Sequence, residues 1–149
     1  MIVLLGLDVV TKWLSANHLP PLLPIGYPFG GIPLFEMSGI TASLNQVRNG
    51  GAAWGVLQGF PALLAIARIV CAGILFFSKN RTLAFLLIAT GALGNGIDFW
   101  IYGKVIDFIY LTFWGYSFPV FNLADCCITI GALLLLFSPK NAPVKASHS

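Results

Sequence analysis

The stretch GNGIDFWIYGKVIDFIY, residues 94–110, places two aspartates, Asp98 and Asp107, at the end of a run that otherwise reads as a membrane span. A carboxylate in or beside hydrocarbon costs several kcal/mol unless it is solvated, paired or protonated, so each acid here needs a chemical reason. Whether the run before them crosses a membrane decides the fold.

Composition answers that first question. Of the 149 residues, 58% are hydrophobic and 9% charged, with mean hydropathy +0.88, far from the soluble mixture in which about a quarter of residues are charged. A chain of 16.0 kDa has the length of one domain, and a helix bundle suits it better than a soluble core with separate lobes. The net charge of +3 comes from eight scattered basic residues that form no stripe able to track phosphates, which argues against nucleic-acid binding. Cys71, Cys126 and Cys127 offer neither a CxxC pair nor a spaced His/Cys ligand set. They read as small buried hydrophobes, and neither a disulfide scaffold nor a structural zinc site is expected.

A helix crossing roughly 30 Å of hydrocarbon needs about 20 residues, and four segments qualify as candidates. They cover approximately residues 1–17, 52–77, 82–101 and 118–137, in a single integral membrane domain spanning 1–149 with a flexible tail over 139–149. The first segment, MIVLLGLDVVTKWL, is marginal as drawn: it could cross by taking in residues 15–19, by local thinning of the bilayer, or by a true start upstream of Met1. It fits a cleaved signal peptide poorly, since Asp8 and Lys12 interrupt it and no basic segment precedes it. Pro61, early in the second segment, predicts a kink or a displaced start. Residues 18–51 and 102–117 are read as extracytoplasmic loops, with ITASLNQV (40–47) as a short strand. The expected fold is an all-α membrane protein, a four-transmembrane-helix bundle with a small extracytoplasmic β-containing loop region.

Loop charges give orientation. Lys79 and Arg81 follow the second segment, and Lys140 and Lys145 the fourth, which puts both termini and these basic loops in the cytoplasm. All five acids, Asp8, Glu36, Asp98, Asp107 and Asp125, then fall on or toward the opposite face.

Asp107 follows the third segment and Asp125 lies one to two turns inside the fourth. Consecutive spans run antiparallel, so the two carboxylates can reach the same depth. Two acids in a poorly solvated site do not both ionise readily; they share a proton, as an aspartic protease requires. Asp98 has Asn95 one turn earlier on the same helical face and suits a supporting role. Asp8 and Lys12 form an i,i+4 ion pair within the first segment, with the lysine head also able to reach lipid headgroups. Arg68, well inside the second segment, is expected to serve structure, by snorkelling toward the cytoplasm or pairing across the bundle. Trp54, Trp100, Tyr102, Phe113, Trp114 and Tyr116 read as an interfacial aromatic belt, His18 as an exposed loop residue, and Glu36 carries no local argument for a role.

DVVTK (8–12), NGGAAWG (49–55), GALGNGID (91–98), GKVIDF (103–108) and FNLAD (121–125) occur in order across the four segments. In this the chain resembles the bacterial type II signal peptidases, the lipoprotein signal peptidases, which are intramembrane aspartic endopeptidases. The resemblance implies Asp107 and Asp125 as the catalytic pair. It implies Asn49, Asn95, Asp98 and Asn122 as polar residues that order the pair or bind substrate, and Asp8 and Lys12 as structural support. The implied reaction removes the signal peptide of a diacylglyceryl-modified prolipoprotein just before the lipidated cysteine. It would take place near the extracytoplasmic face of the bacterial inner membrane, in a multi-pass enzyme surrounded by lipid. No metal or cofactor is implied, and a monomer is expected.

One position breaks the pattern. The family usually has an arginine after the aspartate that Asp98 matches, and this chain has Phe99, which cannot donate to a substrate carbonyl. Lys104 or Arg48 could supply a compensating cation, and Trp114 a substrate cradle. Two other readings compete. A proton-coupled transporter would place ionisable groups near mid-membrane and often shows paired halves, which this chain lacks. A catalytically idle relative would most simply have lost Asp107 or Asp125, and both are present.

Overall fold

The computed structural model describes residues 1–51, 59–79 and 82–137. Trp54 and most of NGGAAWG, Arg81, Lys140, Lys145 and the tail lie outside the described residues. In chain order the elements are α1 (Ile2–His18), β1 (Ile32–Met37), β2 (Ile40–Asn49), α2 (Pro61–Phe76), α3 (Leu83–Tyr102), β3 (Val105–Phe113), β4 (Tyr116–Ser117) and α4 (Leu123–Leu136).

The chemistry of its ends fixes α3. Thr82 Oγ1 accepts a hydrogen bond from the Phe85 N–H at 3.3 Å, and Gly103 closes the helix in the left-handed conformation at φ 73°. Its 20 residues span roughly 30 Å at the α-helical rise. Among the described residues it is the one helix long and apolar enough to cross a membrane by length and composition. α1, α2 and α4 have 17, 16 and 14 residues. Pro61 does not kink α2: it occupies the first turn, where its missing N–H costs nothing, so the helix starts there. α4 begins later than expected because Asn122 caps it. Asp125 therefore stands in the first turn rather than one to two turns inside.

The all-α reading needs correction. Among the described residues four strands form an antiparallel sheet in the order β1-β2-β3-β4, and four helices combine with this open sheet. The expected strand over 40–47 is the middle of β2, but residues 105–113, expected as loop, are its long partner β3. VIDFIYLTF is rich in β-branched and aromatic residues, and Val105, Ile106, Asp107 and Phe108 are all buried, covered on both faces. The β2–β3 register pairs Val47 with Asp107 and Asn49 with Val105, after an irregularity between Leu44 and Val47. At that irregularity the Gln46 side chain donates to the Ser15 and Ala16 carbonyls, tying the sheet to the end of α1.

The helices pack through small residues. A Cβ on Gly91 would overlap the Ala124 carbonyl oxygen, and one on Gly94 would meet the Asp8 carboxylate, so only glycine allows α3 to lie this close to α4 and α1. Burial is inverted relative to a soluble protein. Lys12, Asn95, Asp98 and Asn122 are at most 2% exposed, while Leu63, Ile66, Val70 and Ile74 form an apolar stripe on α2 that is more than half exposed. In water such a stripe would be a liability; against lipid it is the natural outer face.

Candidate active site

Buried polar groups from α1, α3, β3 and α4 form one network, and Lys12 is its hub. Its Nζ lies 2.8 Å from Asp8 Oδ2, 2.9 Å from Asp98 Oδ2 and 2.8 Å from Asn95 Oδ1, which uses all three ammonium donors. The expected Asp8–Lys12 pair is therefore real but incomplete, and the fully buried lysine does not reach headgroups. Each acid also accepts a main-chain N–H. Asp8 Oδ1 takes that of Ala124 at 2.9 Å, and Asp98 Oδ2 that of Ile106 at 3.3 Å. Asp8 thus caps the first turn of α4 from another helix, and Asp98 ties the end of α3 to the start of β3.

Around this hub stand the carboxamides. Asn95 donates from Nδ2 to Asp125 Oδ1 at 2.8 Å. Asn122 Nδ2 donates to Asp107 Oδ1 at 2.7 Å, and also meets Asn95 Oδ1 and the Ile106 carbonyl. Asn49, the diagonal neighbour of Asp107 on the same face of the sheet, donates to its Oδ2 at 3.0 Å and accepts from the Gly51 N–H. Asp125 and Asn122 form a reciprocal capping box at the start of α4. Every predicted site residue from Asp8, Lys12, Asn49, Asn95, Asp98, Asp107, Asn122 and Asp125 is therefore in one connected assembly.

Asp107 is 2% exposed and its two oxygens are held by neutral donors rather than by a cation. Burial pushes its carboxyl up from 3.8 to about 7, and the neighbouring Asp125 charge pushes the same way, against hydrogen bonds from Asn49 and Asn122 and the charge of Lys12. Near neutral pH it therefore exchanges a proton readily, the property general acid–base chemistry needs.

Asp107 and Asp125 both line a cavity of about 1390 Å³, whose wall also includes Asn49, Asn95, Tyr110, Phe118 and Ile130. That volume admits an extended peptide segment, and the mixed polar and apolar wall suits one carrying apolar groups. Arg48 and Lys104 line it as exposed side chains. Trp114 does not: it is 72% exposed on the β3–β4 turn, with its indole over Gly39. Phe99 packs edge-on against Trp100 and also stays off the cavity wall. Among the described residues no three His, Cys, Asp or Glu side chains are grouped to hold a metal ion, and the three cysteines are free.

The family model for signal peptidase (SPase) II matches residues 1–139. This chain belongs to the signal peptidase II family. The lipoprotein signal peptidases of Staphylococcus aureus strains JH9 and Newman are each 37% identical to it over 139 residues, 88% of this chain and 79% of theirs. Two solved structures of a bacterial membrane enzyme, obtained by the in meso method at 2.3 and 1.9 Å resolution, share the fold. The first superposes with TM-score 0.70 at 30% identity over 97% of this chain and 91% of its own. The second gives 0.69 at 31% over 93% and 90%. The chain is accordingly a bacterial membrane protein with the aspartic-type peptidase activity of its family, removal of signal peptides.

Sequence reasoning did not place Arg68 on this peptidase's cavity wall, nor Tyr110, Phe118 and Ile130. Arg68 does not snorkel away; it donates from Nη2 to the Gly51 carbonyl at 3.3 Å, just beyond β2, and lines the cavity with Asp107 and Asp125. Its spacing from the buried Ala65 and Ala72, i, i+3 and i+7 on one helical face, was the available signal.

Proposed function

We propose that this peptidase hydrolyses diacylglyceryl-modified prolipoproteins immediately before the lipidated cysteine, with Asp107 and Asp125 as the catalytic pair. The observation that carries this reading is the neutral setting of the pair: two carboxylates from different elements share one cavity, held by asparagines, while the only buried lysine among the described residues is occupied by Asp8 and Asp98. A bound cation at either acid would hold it ionised; carboxamides orient it and leave its proton free to move.

In this mechanism Asp107 carries the shared proton and hydrogen-bonds the scissile carbonyl oxygen, while ionised Asp125 takes a proton from water. The water oxygen bonds to the carbonyl carbon, and Asp107 passes its proton to the carbonyl oxygen, giving a gem-diol. Asp125 then returns its proton to the amide nitrogen as the C–N bond breaks, and Asp107 recovers a proton from the diol. The products are a signal peptide ending in a carboxylic acid and a lipoprotein with a free cysteine amine. Asn49, Asn95 and Asn122 hold the pair and bind substrate backbone, Asp98 joins α3 to β3, and Asp8 with Lys12 supports the bundle.

We place all four helices across the inner membrane, both termini in the cytoplasm, with the sheet and the cavity at the extracytoplasmic face. The apolar stripe of α2 and the loop charges support this arrangement. Lipid tails reach the cavity between helices, and the monomer is the working unit. The test incubates purified protein with a diacylglyceryl-modified prolipoprotein, comparing wild type with Asp107→Asn and Asp125→Asn. Cleavage by wild type alone is expected, and robust cleavage by either variant sinks the assignment. A substrate lacking the diacylglyceryl group should be processed poorly.

A further inference from the structure

Arg68 is a guanidinium set into the wall of the cavity that holds the two carboxylates, two turns along a helix whose outer face is apolar. Its stem packs over Gly96 on α3, where a Cβ would lie 3.6 Å from Arg68 Cβ. Three carboxylates, Asp125, Asp107 and Asp98, bear on its charge, yet none forms an ion pair with it among the described residues. Of its five N–H donors, one group, Nη2, has a hydrogen-bond partner there, the Gly51 carbonyl. Arg68 is half-buried, and a guanidinium in a helix set against lipid is expensive unless its donors are used. It faces a cavity suited to an extended peptide, whose main chain offers carbonyl oxygens as acceptors.

We propose that Arg68 is a substrate-contacting residue, anchored on the Gly51 carbonyl through Nη2 and donating its remaining N–H groups to a main-chain carbonyl flanking the scissile bond. The inference rests on the proposed hydrolysis at Asp107 and Asp125 and adds the group that fixes the peptide's register against them. Arg68 reaches the cavity from α2, whereas Phe99, on α3, is packed on Trp100. The planar fork of an arginine suits both contacts, because one edge holds the protein while the other meets the ligand.

The test is a double cycle. Wild type and Arg68→Met are assayed on lipidated substrates in which each carbonyl flanking the scissile bond is replaced in turn by a methylene. A charge-assisted hydrogen bond is worth about tenfold to a hundredfold in binding. Wild type should lose that factor in kcat/KM, mainly through KM, at one of the two positions. Arg68→Met should start from the same lower value and lose no more than about twofold at that position. Equal losses in both enzymes at both positions overturn the proposal, because a purely structural arginine would leave the substrate effect unchanged. Should coupling appear with Lys104→Met instead, the contact belongs to Lys104 and the proposal is likewise overturned. If Arg68→Met does not purify folded, Arg68→Lys runs the same cycle, with partial coupling expected and additivity decisive against it. Asp107→Asn on the unmodified substrate reports separately on the hydrolytic reading.

Discussion

Replacing Asp107 with asparagine should destroy activity and, depending on pH, either raise or lower stability. In the folded state the carboxyl titrates at about 7, against 3.8 in its ordinary setting, a gap worth about 4 kcal/mol. The folded chain therefore keeps this proton where the unfolded chain has lost it. Its stabilising share is complete below about pH 4, declines as pH rises and is gone above about pH 7. Asparagine stays neutral throughout, so it removes that ionisation penalty. It has a cost of its own: both Asp107 oxygens accept from amide nitrogens, Asn49 Nδ2 and Asn122 Nδ2, and the new NH₂ faces one of those donors. One lost acceptor in a buried site costs about 1–3 kcal/mol. The variant should be less stable than wild type by about that much near pH 4, and more stable by about 1–3 kcal/mol near pH 8.5. Tryptophan-fluorescence melts in detergent at both pH values measure the difference, which should change sign. A variant destabilised equally at both would mean that Asp107 is ionised comfortably in the fold, and the proton-sharing argument would fail.

The same titration governs catalysis: kcat/KM for lipidated substrate should fall by about tenfold per pH unit above about pH 7 as Asp107 loses its proton, and a flat profile from about pH 6 to 9 would remove it as the acid. Lys12→Met leaves Asp8 and Asp98 buried without their cation and should cost about 3–5 kcal/mol, seen as a collapse in melting temperature or yield. Gly91→Ala pushes a methyl into the Ala124 carbonyl; about 1–3 kcal/mol of stability should be lost, with cleavage falling more than about tenfold as Asp125 shifts.

Much of this was legible in the sequence where local rules and the physics of membranes agree. The boundaries of α3 follow from Thr82 and Gly103, and the five motifs do converge on one assembly. β3 was not legible because VIDFIYLTF is apolar at nearly every position. A strand covered on both faces lacks the alternation that marks a half-buried one. The full role of Lys12 was equally hidden. Its pairing with Asp8 is written in an i,i+4 spacing, but Asp98 and Asn95 arrive from α3, 86 and 83 positions away, and no local pattern announces them. Arg68 was expected to snorkel or to pair: the helical face it shares with Ala65 and Ala72 was visible, but its partner, the Gly51 carbonyl, was not.

The Asp8 carboxylate that accepts the Ala124 N–H has a consequence for the assembly of the molecule. α4's first turn carries Asp125, and that turn is completed by a group from the opposite end of the chain. Docking α1 and closing the first turn of α4, where Asp125 stands, are thus one structural event.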